Sequence, residues 1–514
     1  MDDIDCWILL ASLWPVYTIT LLLTAWAAFV GGLYWRRKLH TTGLHGPTEK
    51  PYIGTTGAFT DSMDTSESCR QYALKYGPVF QVPTGMLLSR IVICDSAAIA
   101  HFYANAPAIY RTPGSARRIT ENLVGHGLLW VDGEHHLKLP SESPFSDSSV
   151  KAFTSAFFNM AYKMINMWNR KLESRPHGVV IEAQHWMNSV ILDTLGTSGF
   201  SHDFESLNRD YCTVTAAFNA LRAPTTSCLS DLISRFGSSF HILCNIPTAK
   251  HRVLTNFCTY MSQIAEKVLE RSGKEAKDDS VVGLLTESPD GEFRLSHEEV
   301  LAQCEFHFLS SKIIDMVSDQ WLLVELAKDL SIQETLTKEL QQVDDYLTHT
   351  EICTLPYLNA VVLETLRLHP PIGETTRVAI EDDVIPLSSP IIIRSGETVT
   401  SINIAKRCMN TSEPFWGLGC LEFDPRRWFQ GVNTNNFPRN SHLAFRDGPR
   451  TCLGRGFAMA LIKVVVCVII RNFTLALPEG PQSIIQSTGG YIPRPRICGQ
   501  GSEVLIVVRK RNRG

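Results

Sequence analysis

The feature that most constrains the fold is a tract without glycine or proline between Gly291 and Pro356. Glycine and proline are the residues that most often end a helix, so their absence over this length favours helix. Ser296, with Glu299 three positions later, matches a capping box and predicts where the helix begins. From there the sequence predicts about eight helical turns or more, at 3.6 residues per turn. We expect this helix to cross the core.

Strand signals are short and lie elsewhere in the chain. Runs rich in valine and isoleucine, broken by glycine and proline, occur around residues 75–100 and 377–399. A second helix is predicted from Pro356 to just before His369, and a buried helix after Gly454. The predicted fold is therefore mainly α with a small β region.

The N-terminal segment Trp7–Trp35 carries no charged residue. At about 1.5 Å of rise per residue it is long enough to span a hydrocarbon core of roughly 30 Å. Three basic residues follow at 36–38, and the positive-inside rule places the chain after them in the cytosol. The sequence thus predicts a membrane anchor at 1–40, a hinge at 41–56 and a globular domain at 57–514. A helix buried in a globular core is the alternative.

Charge and cysteine usage exclude several classes of protein. A net charge of −4 provides no basic field for nucleic acid. The 14 cysteines include no C-x-x-C pair, which argues against a zinc site and against a secreted disulfide scaffold. Most of these cysteines are therefore expected to be reduced.

Glu364 and Arg367 lie three positions apart on the helix predicted after Pro356, among apolar residues. This spacing places both charges on one face of the helix. A buried ion pair needs further polar contacts to offset its desolvation. We therefore expect a third partner for the pair, the alternative being an ordinary, partly exposed pair.

Cys452 lies between two glycines, two residues after Arg450 and just before an apolar helix. The N-terminal end of a helix stabilises a thiolate, and glycine lets backbone approach a bulky group. Arg450 is placed to pair with an anionic group on the same ligand. A single thiolate in this setting is what a haem iron requires, whereas an inert buried cysteine is the alternative.

Three motifs, taken together and in this order, resemble those of the cytochrome P-450 family. E-x-x-R is matched at Glu364 and Arg367. F-x-P-x-R-W is matched at Phe423, Pro425, Arg427 and Trp428. F-x-x-G-x-R-x-C-x-G is matched at Phe445, Gly448, Arg450, Cys452 and Gly454. The resemblance extends over essentially the whole chain, and the stretch 382–399 is similar to fungal members.

The resemblance implies haem b as cofactor and a role for each matched residue. Cys452 would be the axial ligand of the iron. The third partner of the Glu364–Arg367 pair would be Arg427, completing a structural triad. The residues implied to line or hold the cofactor are Phe445, Gly448, Arg450, Gly454, Arg377 and His136.

One departure from the family pattern concerns proton delivery. The family usually carries an acid and an alcohol on the long helix, which help to deliver the protons that dioxygen activation consumes. Here the corresponding positions are both isoleucine. The residues expected to face the oxygen and substrate pocket are Ser310, Ser311, Ile313, Ile314, Ile372 and Thr375.

A second departure concerns the cofactor. The family often has [WH]-x-x-x-R in the helix after "GE", and both residues hold a haem propionate. His136 matches the first position, but Pro140 replaces the arginine. Proline would also disrupt that helix.

The resemblance implies a monooxygenase that oxidises an apolar small molecule, such as a terpenoid, at the endoplasmic reticulum membrane. It would be single-pass with its catalytic domain in the cytosol. The chain has no dinucleotide fingerprint of its own, so electrons from NADPH would come through a separate cytochrome P-450 reductase. Candidates for docking this donor, with solvated surface as the alternative, are Arg446, Arg455 and Lys463.

The isoleucine pair leaves three interpretations of the chemistry open. In the first, the substrate or an ordered water relays protons in place of the missing pair. In the second, the reaction avoids dioxygen activation, as in rearrangement or dehydration of an oxygenated substrate. In the third, the protein is a catalytically silent haem-binding paralogue.

Overall fold

The structure is a computed structural model. It describes residues 17–21, 23–29, 31–32, 42–47, 65–85, 88–127, 130–132, 145–200, 202–208, 249–272, 297–372, 375–401, 416–429, 443–487, 494–501 and 503–511. Within the helix that contains residues 304–317, the description of that stretch covers the backbone but not the side chains. The predicted positions His136, Pro140 and Ser296 lie outside the described residues, as do Gly291, Trp7, Trp35, the basic residues at 36–38 and most of the predicted hinge at 41–56.

Helices dominate the described fold, as predicted. They are α1 Thr65–Tyr76, α2 Ser96–Ala104, α3 Gly114–Val124, α4 Asp147–Glu173, α5 Ala183–Gly199, α6 Ala249–Ser272, α7 His297–Lys328, α8 Leu330–Leu340, α9 His349–Thr354, α10 Pro356–Leu368 and α11 Arg455–Asn472. The long helix α7, the Pro-initiated α10 and the buried α11 all lie where the sequence predicts them.

Local side chains explain where several helices begin. The Asp329 carboxylate accepts from the backbone N–H of Ser331 at 2.8 Å, which ends α7 and starts α8 without any glycine or proline. Thr348 and Glu351 form a capping box at α9. The described part of the tract between Gly291 and Pro356 therefore forms three helices, because a side-chain cap favours the start of a new helix.

Strands are short and join distant parts of the chain. They are β1 Val79–Gly85, β2 Leu88–Ile93, β3 Tyr110–Arg111, β4 Val179–Glu182, β5 Thr375–Ala379, β6 Asp383–Ile385, β7 Ile391–Ile393, β8 Thr398–Ser401, β9 Phe473–Ala476, β10 Ile485–Ser487, β11 Pro495–Ile497 and β12 Leu505–Lys510. A five-stranded sheet has the order β1-β2-β8-β5-β3. It pairs β2 with β8 in parallel and β3 with β5 in antiparallel register. This pairing places the chain after β3 beside Arg377 of β5.

The core is built around α11, which packs on α4, α7 and α10. Its side chains from Ala460 to Ile470 are all buried, including those on successive positions. A helix that is apolar all round requires neighbours on every side. The Cys452 loop, which leads directly into α11, is thereby attached to a deeply buried helix of the core.

Among the described residues, no helix combines the length and the apolar character needed to cross a bilayer. The described N-terminal residues at 17–21 and 23–29 are helical. Their exposed apolar side chains include Tyr17, Ile19, Leu21, Leu23, Trp26 and Phe29.

Gln333 fixes α8 to strand β9. Its side-chain amide donates to the carbonyl oxygens of Leu326 at 2.6 Å and Leu475 at 2.9 Å, and its Oε1 accepts from the N–H of Leu475 at 2.9 Å. The side chain is fully buried. These three bonds satisfy backbone groups that water cannot reach.

Replacing Gln333 with methionine keeps the length of the side chain but removes all three hydrogen bonds. We expect the free energy of unfolding to fall by about 2–5 kcal/mol, because buried backbone groups are left unsatisfied. Urea unfolding followed by tryptophan fluorescence measures this change. The matched control is Gln342→Met at an exposed position, and equal stability of the two variants would contradict the expectation.

Candidate functional site

The Cys452 loop closes on itself through its backbone. The N–H of Cys452 donates to the carbonyl oxygen of Phe445 at 2.8 Å, and the N–H of Thr451 donates to that of Gly448 at 3.0 Å. The Phe445 side chain is buried in the core, and the Cys452 side chain is partly buried. The loop therefore holds the sulfur in a defined place immediately before α11.

Glycine suits the two loop positions 448 and 454 for different physical reasons. Gly448 has φ +67°, and a Cβ there would lie 2.7 Å from the carbonyl oxygen of Tyr103. The absence of a side chain at Gly448 thus lets the loop approach the backbone of α2. Gly454 has an ordinary φ of −80°, and a Cβ there would contact the Cys452 sulfur at 3.9 Å. Glycine at 454 leaves that flank of the sulfur open.

Arg450 is buried and bound to a segment more than 300 residues away in the sequence. Its Nη2 donates to the Asp132 carboxylate at 2.5 Å and to the carbonyl oxygen of Val131 at 3.0 Å. Only 7% of the residue is exposed. Burial lowers the pKa of the Arg450 guanidinium, and the Asp132 charge opposes that effect.

Arg377 joins the same network from β5. Its Nη1 donates to the Thr112 hydroxyl at 3.0 Å, and the hydroxyl and N–H of Thr112 both donate to Asp132 at 3.1 Å. Asp132 and Thr112 therefore connect the two arginines that the sequence predicts as cofactor partners. Asp132 and Thr112 themselves are functional residues that motif spacing missed.

The donor set fits an anionic cofactor. Arg377 and Arg450 are both about nine-tenths buried; Arg450 pairs with Asp132 directly, and Arg377 reaches the same carboxylate through Thr112. Among the described residues, the Nε of Arg450 is buried without a hydrogen-bond partner. Buried guanidinium groups next to an unsatisfied donor are what the carboxylates of a haem would complete. The chemistry of these residues therefore matches haem b.

The Glu364–Arg367 pair acquires the third partner that its burial requires. Both side chains are 0% exposed, and Arg367 binds the carboxylate through Nε at 2.7 Å and Nη2 at 2.8 Å. Arg427 Nε donates to Glu364 Oε1 at 2.7 Å. The carboxylate also accepts from the N–H of Asp424 and the indole of Trp428, both at 3.1 Å. Five donors thus surround one buried charge.

A further buried pair attaches the turn after α10 to α7. His369 Nε2 lies 2.8 Å from Glu325 Oε1, and its ring stacks on Trp321 with centroids 3.8 Å apart. Burial raises the pKa of Glu325, but the hydrogen bond and charge of His369 outweigh it and lower the pKa to about 2. Sequence reasoning missed this pair, since the two residues are 44 positions apart.

The predicted pocket residues are only partly described. Ser310, Ser311, Ile313 and Ile314 lie on α7 by their backbone, and their side chains are outside the description. Ile372 is partly buried after α10. Thr375 is buried, and its hydroxyl accepts from Tyr103 at 3.3 Å.

One docking candidate is wrong. Lys463 is 3% exposed on α11, and its Nζ lies 3.5 Å from the carbonyl oxygen of Cys353. Burial lowers the pKa of this amine. In the sequence Lys463 follows Arg446 and Arg455 and suggests a basic surface. Because α11 is packed on every side, the Lys463 side chain does not reach that surface. Arg455 is exposed and Arg446 partly exposed, so both remain candidates.

Fold and site together define a helical haem protein with a single cysteine beside its cofactor residues. Residues 44–497 match the sequence model of the family described as cytochrome P-450, and the chain belongs to that family. The family's cofactor is haem b, and the protein is an enzyme of the cytochrome P-450 monooxygenase type.

Fungal proteins are among its relatives. The chain is 40% identical over 503 residues to the cytochrome P-450 monooxygenase claP of Ampulloclitocybe clavipes, covering 92% of this chain and 94% of that protein. It is 39% identical over 526 residues to claQ of the same fungus, covering 97% and 98%. The ganoderic acid synthetase of Ganoderma lucidum is 24% identical over 545 residues, covering 91% and 94%.

Replacing Glu364 with glutamine tests the buried network. An amide cannot neutralise Arg367 and Arg427, so two cations lose their counter-charge. We expect the free energy of unfolding to fall by about 3–5 kcal/mol. Urea unfolding measures it, with the exposed Glu173→Gln as the control. A loss no larger than that of the control would contradict this account.

Proposed function

We propose that the protein is a membrane-anchored monooxygenase that oxidises an apolar secondary metabolite, with Cys452 as the axial ligand of haem. The observation that carries the proposal is the Cys452 loop connected through Arg450 and Asp132 to Thr112 and Arg377. It combines one thiol with buried guanidinium groups that need an anionic ligand.

The chain's own residues supply binding and positioning. Cys452 provides the ligand atom, and Arg377 and Arg450 would pair with the haem propionates. When bound, haem with a thiolate ligand supplies cleavage of the O–O bond. The overall balance is substrate C–H, O₂, NADPH and a proton giving substrate C–OH, water and NADP⁺. The Phe445 side chain is buried in the core, and its backbone carbonyl accepts from the N–H of Cys452, which holds the sulfur in place before α11.

The proposed substrate class is an apolar fungal metabolite such as a terpenoid. Two considerations support it. Isoleucines stand at 313, 314 and 372, where the resemblance expects the pocket. One relative is named for the synthesis of ganoderic acid, a named fungal product.

Electrons are proposed to arrive from NADPH through a separate cytochrome P-450 reductase. The cysteine loop carries partly exposed Arg446 and Leu453, which is 47% exposed, and exposed Arg455 follows it in the chain. Cationic and apolar side chains exposed together suit an acidic protein partner.

The anchor is proposed to hold the enzyme at the endoplasmic reticulum membrane. Support comes from the uncharged segment Trp7–Trp35 and from the exposed apolar side chains on the helical residues at 17–21 and 23–29. The basic residues at 36–38 favour a cytosolic catalytic domain.

Expression with a fungal reductase and a panel of terpenoids tests this function. We expect substrate-dependent consumption of NADPH and O₂ and a product with one added oxygen atom. Cys452→Ser should remove both the turnover and the reduced carbon-monoxide band of thiolate-ligated haem, because serine cannot supply the thiolate. Cys498→Ser, a partly buried cysteine outside the loop, is the control and should keep both. A wild-type protein without the band would refute the proposal.

The missing acid–alcohol pair favours a second candidate function. With isoleucine at 313 and 314, rearrangement or dehydration of an oxygenated substrate avoids the need for protons at that helix. A silent haem-binding paralogue would show the thiolate band but no turnover with any substrate. The same terpenoid panel separates these candidates from the monooxygenase, because rearrangement or dehydration would form product without consuming O₂, and a silent paralogue would form no product.

Ile314→Thr tests whether ordinary proton delivery was lost. We expect the fraction of NADPH that ends in product to rise by about 2- to 10-fold, because the hydroxyl can take part in general acid–base proton transfer. The matched control is Ile314→Val, which has nearly the shape of threonine without the hydroxyl. Equal coupling in both variants would show that the enzyme does not rely on a hydroxyl at this position.

A further inference from the structure

Trp130 forms a platform between two side chains. The guanidinium carbon of Arg117, from α3, lies 3.9 Å from the centre of its ring, and the His126 ring lies 4.2 Å away by centroids. A guanidinium over an indole face is held by the ring's quadrupole. The ring contact therefore orients the Arg117 guanidinium, for which the described residues provide no hydrogen bond.

Two nitrogen donors of this stack are buried and unsatisfied. The Nε of Arg117 and the indole Nε1 of Trp130 have no hydrogen-bond partner. The one acidic residue of α3, Glu121, is engaged instead by Arg118 at 3.4 Å and His126 at 3.3 Å. Buried donors without an acceptor are costly, so such a pair indicates an acceptor other than the described residues, which a bound ligand would supply.

The stack adjoins the Asp132 network. Trp130 directly precedes Val131 and Asp132, which hold Arg450. The Nε of Arg450 is a third buried donor without a partner. The three-residue segment 130–132 thus brings the orphaned donors of Arg117, Trp130 and Arg450 to one region of the fold.

Charge points to the nature of the ligand. Within the described residues of this network, Arg450 pairs with the Asp132 carboxylate, whereas no described carboxylate forms an ion pair with Arg117. A carboxylate on a ligand would satisfy both the charge of Arg117 and the orphaned donors, and the propionates of haem b have that chemistry.

We propose that Arg117, held against Trp130, donates hydrogen bonds to a haem propionate and takes the place of the arginine that Pro140 replaces. This inference rests on the proposed binding of haem at Cys452. Arg117 lies on α3, 23 positions before Pro140 in the sequence. Arginine suits this role because its planar fork stacks and donates at the same time.

Haem transfer from the holoenzyme to an excess of apomyoglobin tests the inference. We expect Arg117→Gln to release haem about ten-fold faster, as for the loss of one charge-assisted hydrogen bond. The matched control is Arg118→Gln, which removes the same charge from the next position of α3, where the side chain is 47% exposed. Its rate should stay within two-fold of wild type.

Resonance Raman spectra separate direct contact from a structural effect. The bending vibration of the propionates responds to their hydrogen bonding, so it should shift in Arg117→Gln and not in Arg118→Gln. Arg117→Lys keeps the charge and should give a rate of haem release between those of wild type and Arg117→Gln. If the glutamine variant folds poorly, the lysine variant still tests the inference. Equal release rates and unshifted propionate bands in the Arg117 variants would overturn the inference.

The two proposals fail in distinguishable ways. If wild type and all variants show the thiolate band, but Arg117 and Arg118 variants behave alike, only the role of Arg117 is refuted. If the wild-type protein lacks the band, haem ligation by Cys452 is refuted.

Discussion

The Asp132 carboxylate is the interaction on which the cofactor region depends. It accepts from Arg450, which lies two residues before Cys452, and from Thr112, which in turn binds Arg377 on β5. One charge thereby joins the cysteine loop, the segment after β3 and the five-stranded sheet. Because it balances only part of the surrounding positive charge, the region is left complementary to an anionic ligand. A protein that neutralised every guanidinium internally would bind that ligand more weakly.

The Glu364 carboxylate plays the opposite role. It accepts from five donors. The other guanidinium nitrogens of Arg367 and Arg427 donate to backbone carbonyl oxygens between 416 and 422, so their hydrogen bonds are made within the protein. The function of Glu364 is therefore to fix the segment at 416–429 against α10. The two networks show how a carboxylate either closes a network or leaves it open, according to whether every donor around it finds an acceptor.

Much of the fold was predictable because its causes are local. Pro356 starts α10, apolar residues in succession predict the buried α11, and the Glu364–Arg367 spacing requires a third partner. The breaks within the tract after Gly291 depend on the N-caps Asp329 and Thr348. The sequence contains many other Asp, Ser and Thr residues that could cap a helix, so it does not show which of them does. The docking role of Lys463 was wrong because exposure depends on what packs around a helix, and that is decided by elements far away in the chain.

The sequence by itself determined α10, α11 and the helical character of α7, the cysteine loop and the membership of a haem-binding family, since each rests on residues a few positions apart. Only the tertiary structure decided that Asp132 and Thr112 connect Arg450 to Arg377, that His369 stacks on Trp321, and that Arg117 lies on Trp130 with an unsatisfied donor. The physical reason is that hydrogen bonds and ring contacts depend on distances of a few ångströms. Between residues tens or hundreds of positions apart, packing of the whole chain sets those distances.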